Sequence, residues 1–238
     1  MKNAKQLLDG ARAILFDMDG VLIDSEPLHE QSIIALSAEL GEPITSKEIL
    51  DSFKGSPEFM MARRLQEIYP ASGFGQEHMI KRKGDIYADM SSQVPLLPGI
   101  LDFLRLAKTR GLRIALTTSA NRFTQELSFR SHGLSPWFEV IVTGEDITRG
   151  KPDPEPYLLT ASKLGLSPAD CVVIEDSLNG VRSGKAAGCK VIAITTTFPR
   201  VALAELQPDL IIDHFSELMH LRAAVRTRRE SAVPGRRA

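Results

Sequence analysis

The chain is poor in cysteine: its 238 residues include two, Cys171 and Cys189. A small fold stapled by disulfides is excluded, and both residues read as free thiols of a reducing compartment. Neither sign of charge is in excess, since 29 Lys and Arg face 30 Asp and Glu for a net charge of -1. Nothing therefore calls for a nucleic-acid partner or a membrane surface. No apolar run approaches the roughly 18 residues of a membrane span. The opening residues, Met1 to Gln6, carry no long apolar stretch of the exported kind. Internal repeats and low-complexity segments are absent as well. His78, His132, His214 and His220 fall at no metal-ligand spacing. The expectation is a cytoplasmic protein, monomeric and without a membrane partner.

What is present is an ordinary globular composition, 43% hydrophobic and 25% charged, long enough for a large domain or a domain plus an insert. The most informative stretch runs from Ala13 to Val21. Its first residues, Ala-Ile-Leu-Phe, read as a short buried strand. Asp17 and Asp19 follow at i, i+2, and Gly20 permits a sharp turn. Charged side chains at such a place are costly unless they are paired or bind a metal.

Beyond this strand, the pattern predicts helices from Pro27 to Gly41, from Ser56-Pro57 to Pro70, and over 76–90, with no strand. Met60 and Met61 are expected to pack. After Pro95 the character changes. Helices are expected over 99–108, 121–132, 154–164 and 178–187, and again from Ser216. Strands are expected over 112–117, 138–142, 171–174, 190–195 and Leu210–Ile212, with Trp137 and Phe138 as core anchors. Alternation of this kind gives an α/β fold, a Rossmann-like parallel sheet with helices on both faces. The stretch 25–94 is too long for a loop and is expected to be an inserted all-helical domain. Segments 1–24 and 95–238 then form the core, and the Arg-rich end, 222–238, is expected to be a frayed tail.

Four groups fall at the ends of successive strands: Asp17 and Asp19, Thr117-Thr118-Ser119, Lys151, and Glu175-Asp176-Ser177. In a parallel sheet, they converge on one edge. Four carboxylates held together repel one another, and a hard divalent cation such as Mg²⁺ relieves this while keeping room for a phosphate. A carboxylate not consumed by the metal can act as a nucleophile. Thr118 offers a hydroxyl and Lys151 a point charge to phosphate oxygens. The combination describes phosphoryl transfer through a carboxylate.

With these motifs in this order, the chain resembles the haloacid dehalogenase superfamily, and within it the phosphatase and β-phosphoglucomutase branch with a helical cap. The motifs are Asp17-Met18-Asp19-Gly20-Val21, Thr118, Lys151 and Glu175-Asp176-Ser177. The resemblance implies that Asp17 is the nucleophile and Asp19 the general acid/base. It implies Mg²⁺ held by Asp17, the backbone carbonyl of Asp19, Asp176 and, directly or at one remove, Glu175. Thr118 and Lys151 would hold the transferring group, with amides after Asp17 and Thr118. The family's dehalogenases lack the second acid, so Asp19 argues against that chemistry, and the intact acids argue against a silent binding protein. The expected substrate is a small phosphorylated metabolite, a sugar phosphate first, and the expected reaction is hydrolysis, with a mutase as the alternative.

Leaving-group specificity is expected in the cap. Its candidates are His29, Lys54, Gly55 and Glu58, joined from the core by Ser119, Ala120, Asn121 and Arg122. Lys81-Arg82-Lys83 reads as a solvated basic run, and Asn179-Gly180 as support for the acidic loop. Mutases of this branch place an Arg near the position of Glu58. An acid there repels a second phosphate and favours a phosphatase.

Overall fold

The computed structural model describes residues 4–53, 58–90 and 94–219. The chain begins with α1 (Ala4–Asp9) and enters the sheet as β1 (Ala13–Phe16). It then leaves for four helices, α2 (Glu26–Leu40), α3 (Lys47–Asp51), α4 (Glu58–Ile68) and α5 (Gln76–Met90). It returns through α6 (Ile100–Thr109), β2 (Arg113–Thr117), α7 (Arg122–His132) and β3 (Val140–Val142). The second half alternates α8 (Glu155–Lys163), β4 (Cys171–Glu175), α9 (Leu178–Ala186), β5 (Lys190–Ile194), α10 (Arg200–Glu205) and β6 (Leu210–Ile212).

The strands form one sheet in the order β3-β2-β1-β4-β5-β6, with every pair parallel. Because successive residues of a strand point to opposite faces, β1 divides its apolar run between two cores. Ile14 and Phe16 join Phe103, Leu104 and Phe215 on one face. Ala13 and Leu15 join Tyr157, Ala161 and Val181 on the other. Both faces are covered, so the central strands are mostly apolar, with polar residues confined to the ends of β2 and β4. The strand order reverses direction at β1 and β4. Crevices that bind ligands open there, beyond the carboxyl ends of the strands.

The helices between β1 and α6 bury an apolar cluster of their own, built on Ile33, Leu36, Met61, Leu65 and Met79. The segments entering and leaving this unit pair side by side. Asp24 N donates to Pro95 O at 2.9 Å, Leu97 N donates to Leu22 O at 2.9 Å, and Ile23 bridges Leu96 in antiparallel fashion.

Several expectations need correction. Helices α1, α3 and α10 are too short for periodicity to reveal, although Leu7, Leu8 and Leu203 are buried. The strand expected over 138–142 starts at Val140, because Ser135–Trp137 forms a 3-10 turn. The helix expected from Ser216 is a single 3-10 turn, Phe215–Leu218. Met61 packs, but Met60 is 52% exposed. Ser56, Pro57 and the 222–238 tail lie outside the described residues. Among the described residues, no helix is long and apolar enough to cross a membrane.

Candidate active site

The residues following the central strands gather at the crevice. Asp17 follows β1, Thr118 follows β2 and Asp176 follows β4, while Lys151 comes from the loop after β3. Lys151 Nζ lies 2.6 Å from Asp17 Oδ1, 2.6 Å from Glu175 Oε1 and 3.1 Å from the carbonyl of Thr117. Its three donors are thereby all engaged. The ammonium locks the Asp17 carboxylate in place, rather than holding a donor free for phosphate as the motif alone implied. Glu175 is fully buried and saturated. Oε1 also accepts from Tyr157 Oη at 2.8 Å, and Oε2 accepts from Ser177 Oγ and from the amides of Asp176 and Ser177. Gly180 makes room for it, since a Cβ there would collide with the Glu175 carboxylate.

One carboxylate oxygen from each of Asp17, Glu175 and Asp176 lies within 4.8 Å of the other two, and all three residues are buried. One lysine cannot neutralise three carboxylates. Burial accordingly pushes Asp17 up to about 7, with Lys151 opposing and Glu175 and Asp19 reinforcing. Asp176 is driven well above the ordinary range by burial and then by Glu175 and Asp17. A hard cation with oxygen ligands fits this excess of buried negative charge. Glu175 is already filled by protein donors, which leaves Asp17 and Asp176 as the carboxylates able to face a metal. Asp176 is held from behind by the hydroxyl of Thr197. Thr196 Oγ1 donates to the carbonyl of Gly20 at 2.5 Å. Gly20 sits at φ 69, and a Cβ there would strike Asp176.

The carboxylate of Asp19 is not part of this cluster. It turns towards the helical unit, where Oδ1 accepts from Tyr87 Oη at 3.2 Å and lies 3.7 Å from His29 Nε2. Any contact it makes with a metal would therefore come from the backbone, not the side chain. His29 stacks on Tyr87 with ring centroids 4.5 Å apart. Its Nδ1 lies 3.0 Å from Lys83 Nζ, which is also 3.5 Å from Glu58 Oε1. Burial pushes the Asp19 carboxyl up, but hydrogen bonds from His29 first, then Ser25 and Tyr87, outweigh it and leave the group below its ordinary value. Burial and the neighbouring Asp19 charge push the Tyr87 phenol up, so it stays a donor.

A cavity of about 640 Å³ separates the sheet edge from the helical unit. Asp17, Asp19, Lys151 and Asp176 line its floor; Ser119, Ala120 and Asn121 line it from the core, and His29 and Glu58 from the helices. Thr118 is buried behind this lining, its Oγ1 accepting from the Ala120 amide at 3.0 Å. Arg122 does not line the cavity. Its guanidinium turns to Asp146 at 2.8 Å, so it holds the core rather than a substrate. Lys54 and Gly55 lie outside the described residues. Lys83 is no solvated charge, being 7% exposed, whereas Arg82 pairs with Glu39 on the surface.

The sequence reading missed Tyr87, Tyr157, Lys83 and the Thr195-Thr196-Thr197 loop. The loop was findable: it follows β5 and falls on the same carboxyl edge as the four motifs. The tyrosines and Lys83 sit on helices, where nothing in the spacing distinguishes an inward polar group from a packed one.

The chain matches the family model "haloacid dehalogenase-like hydrolase" over residues 11–188. It is 32% identical over 215 residues to hexitol phosphatase B of Escherichia coli (strain K12), covering 87% of this chain and 94% of that protein. It is 31% identical over 210 residues to Protein SUPPRESSOR OF QUENCHING 1, chloroplastic, of Arabidopsis thaliana, covering 87% of this chain but 20% of that longer protein. The crystal structure of CbbY from Rhodobacter sphaeroides in complex with phosphate superimposes with a TM-score of 0.72 at 27% identity, covering 87% of this chain and 96% of that one. Fold, motif order and these matches agree, and the chain belongs to the haloacid dehalogenase-like hydrolase family.

Proposed function

We propose that this protein is a Mg²⁺-dependent phosphatase that hydrolyses the monoester of a small phosphorylated metabolite, in the first instance a sugar phosphate. The observation that carries the reading is the bridging of Asp17 and Glu175 by Lys151 beside the uncompensated Asp176, at the floor of a cavity roofed by the helical unit. A nucleophile, fixed but not neutralised, lies where a phosphoryl group can enter. The relationship to hexitol phosphatase B supports the same substrate class.

In this scheme an Asp17 oxygen attacks phosphorus, the bond from phosphorus to the leaving oxygen breaks, and Asp19 gives that oxygen a proton. Asp19 then takes a proton from water. The hydroxide attacks phosphorus, and the bond to Asp17 breaks, releasing phosphate and restoring the carboxylate. The His29 contact keeps Asp19 ionised for the second step, and the negative charge of an entering phosphoryl group raises its pKa for the first. Thr118 supports the loop of Ser119 and Ala120, whose backbone cradles the phosphoryl oxygens. Asp17, Asp176 and the carbonyl of Asp19 would hold Mg²⁺, which when bound offsets the charge on those oxygens. His29 and Glu58, with Asn121, face the leaving group, and the helical unit 25–94 acts as the specificity cap.

The test is phosphate release from a panel of phosphorylated metabolites with Mg²⁺ and with a chelator in its place. Release of free phosphate that requires Mg²⁺ is expected. Isomerisation of a hexose phosphate without phosphate release, primed by a sugar bisphosphate, would make the protein a mutase instead.

A further inference from the structure

The geometry points to Phe123 as the residue that selects the leaving group, by offering its ring as an apolar platform to the carbon face of an uncharged sugar or polyol. The inference rests on the phosphatase reading. Phe123 lines the catalytic cavity yet is 66% exposed. Helix α7 does not need it for packing, since that helix buries Gln125, Ser128 and Phe129 on its other side. An aromatic ring held in water gains when a partner of matching shape covers it.

The backbone that carries the ring is also anchored. Asn121 Oδ1 accepts from the Thr124 amide at 2.8 Å and caps the helix. Arg122 is tied to Asp146 at 2.8 Å. Residues on both sides of Phe123 are thus pinned, and the loop that supports the phosphoryl group, from Thr118 to Ala120, lies immediately before them. A platform fixed to the phosphate cradle sets the distance at which a leaving group is gripped, whatever the helical unit does. Across the same cavity stand Ile33, Met61 and Ile80.

The charges around this end argue for an uncharged occupant. Glu30, Glu58 and Asp85 line the cavity together with Lys81 and Lys83. Lys83 is already engaged by His29 and Glu58. Glu30 is likewise paired with Lys47, which leaves Asp85 and Lys81 as offsetting charges, so a carboxylate or second phosphate on the leaving group meets no net positive charge, whereas C–H groups meet Phe123 and hydroxyls meet acceptors. The class is therefore a monophosphate with a polyhydroxylated carbon skeleton, and not a bisphosphate or phosphoglycolate.

The experiment compares a hexitol phosphate with acetyl phosphate, whose leaving group is too short to cover a ring, in wild type, Phe123→Ala and Phe123→Tyr. In Phe123→Ala the ratio of kcat/KM for the hexitol phosphate over acetyl phosphate falls about tenfold, mostly through KM, and Phe123→Tyr restores it. An equal loss on both compounds makes Phe123 merely structural and overturns the inference. So does an unchanged ratio, including one accompanied by an altered oligomeric state on gel filtration. A wild-type chain active on phosphoglycolate but not on any sugar phosphate overturns the inference while leaving the phosphatase reading in place. A wild-type chain inert towards all three overturns both.

Discussion

Lys83 Nζ, on a buried side chain of α5, lies 3.0 Å from Nδ1 of His29 on α2. A lysine ammonium can only donate, so Nδ1 accepts and the ring proton sits on Nε2, facing Asp19. Lys83→Met frees the ring to change tautomer. It is expected to lower kcat roughly 10- to 100-fold with little change in the Mg²⁺ requirement. Steady-state rates across a Mg²⁺ titration check this; an unaltered kcat would show that the lysine only packs.

Asp17→Asn removes the carboxylate proposed to attack phosphorus but keeps its shape. Turnover should drop below about 1% of wild type. Circular dichroism confirms the fold, and residual activity above that level would count against a covalent intermediate.

The hydroxyl of Thr197 holds Asp176, whereas Thr195 Oγ1 reaches the exposed Asp213 at 2.7 Å. Thr197→Val should therefore raise the Mg²⁺ concentration for half-maximal rate about three- to tenfold, a loss of one hydrogen bond. Thr195→Val should not. Direct Mg²⁺ binding by calorimetry separates weaker metal affinity from slower chemistry.

Replacing a helical glycine with alanine ordinarily stabilises a helix by about 1 kcal/mol. Gly180 should show the opposite sign, because the added methyl would strike the Glu175 carboxylate. A loss of about 1–3 kcal/mol is expected for Gly180→Ala, as for other overpacked sites. Urea unfolding measures it, and a stabilised variant would mean that the Glu175 side chain moves freely.

Asp146 supplies one acid-sensitive part of stability. The Thr143 amide donates to its carboxylate at 2.8 Å, and Arg122 pairs with it. The Thr143 backbone bond leads in holding its pKa below the ordinary value of 3.8, against the opposing effect of burial. A pKa lower in the folded state means that the stabilisation is present above the unfolded pKa of about 3.9. It is lost as pH falls through the folded value. Asp146→Asn should be less stable by about 1 kcal/mol at pH 7, and the gap to wild type should close on acidification. Parallel unfolding midpoints between pH 7 and pH 3 would refute the assignment.

The cluster at the sheet edge was legible because its residues are written at strand ends. Asp17, Thr118 and Asp176 each follow an apolar run of period-two geometry, and parallel topology then brings them together. What lies on helices was not legible. Lys83 has the same composition context as Arg82, yet one is buried against His29 and the other pairs on the surface. The rotation of α5 decides between them, and its sequence carries no strong apolar stripe to fix that rotation in advance. Arg122 misled for a related reason: a helix N-terminus near a phosphate loop invites an anion, but Asp146 lies closer. Short helices such as α3 and α10 are stabilised by contacts rather than by propensity, so a periodic signal never develops.

The paired crossings at Asp24–Pro95 and Ile23–Leu96 place the two ends of the helical unit next to each other. The pairing of β1 with β2 and β4 is made by residues outside what is spliced between them. A turn of about two to five residues would join one crossing to the other and leave β1 and its acids in register. The helical unit is thus joined to the frame at one place in the chain but at two in space, since Leu28 and Tyr87 pack into the core of the sheet and His29 and Tyr87 hold Asp19. A new roof with equally close ends would have to bring replacements for those side chains as well as a new lining for the cavity.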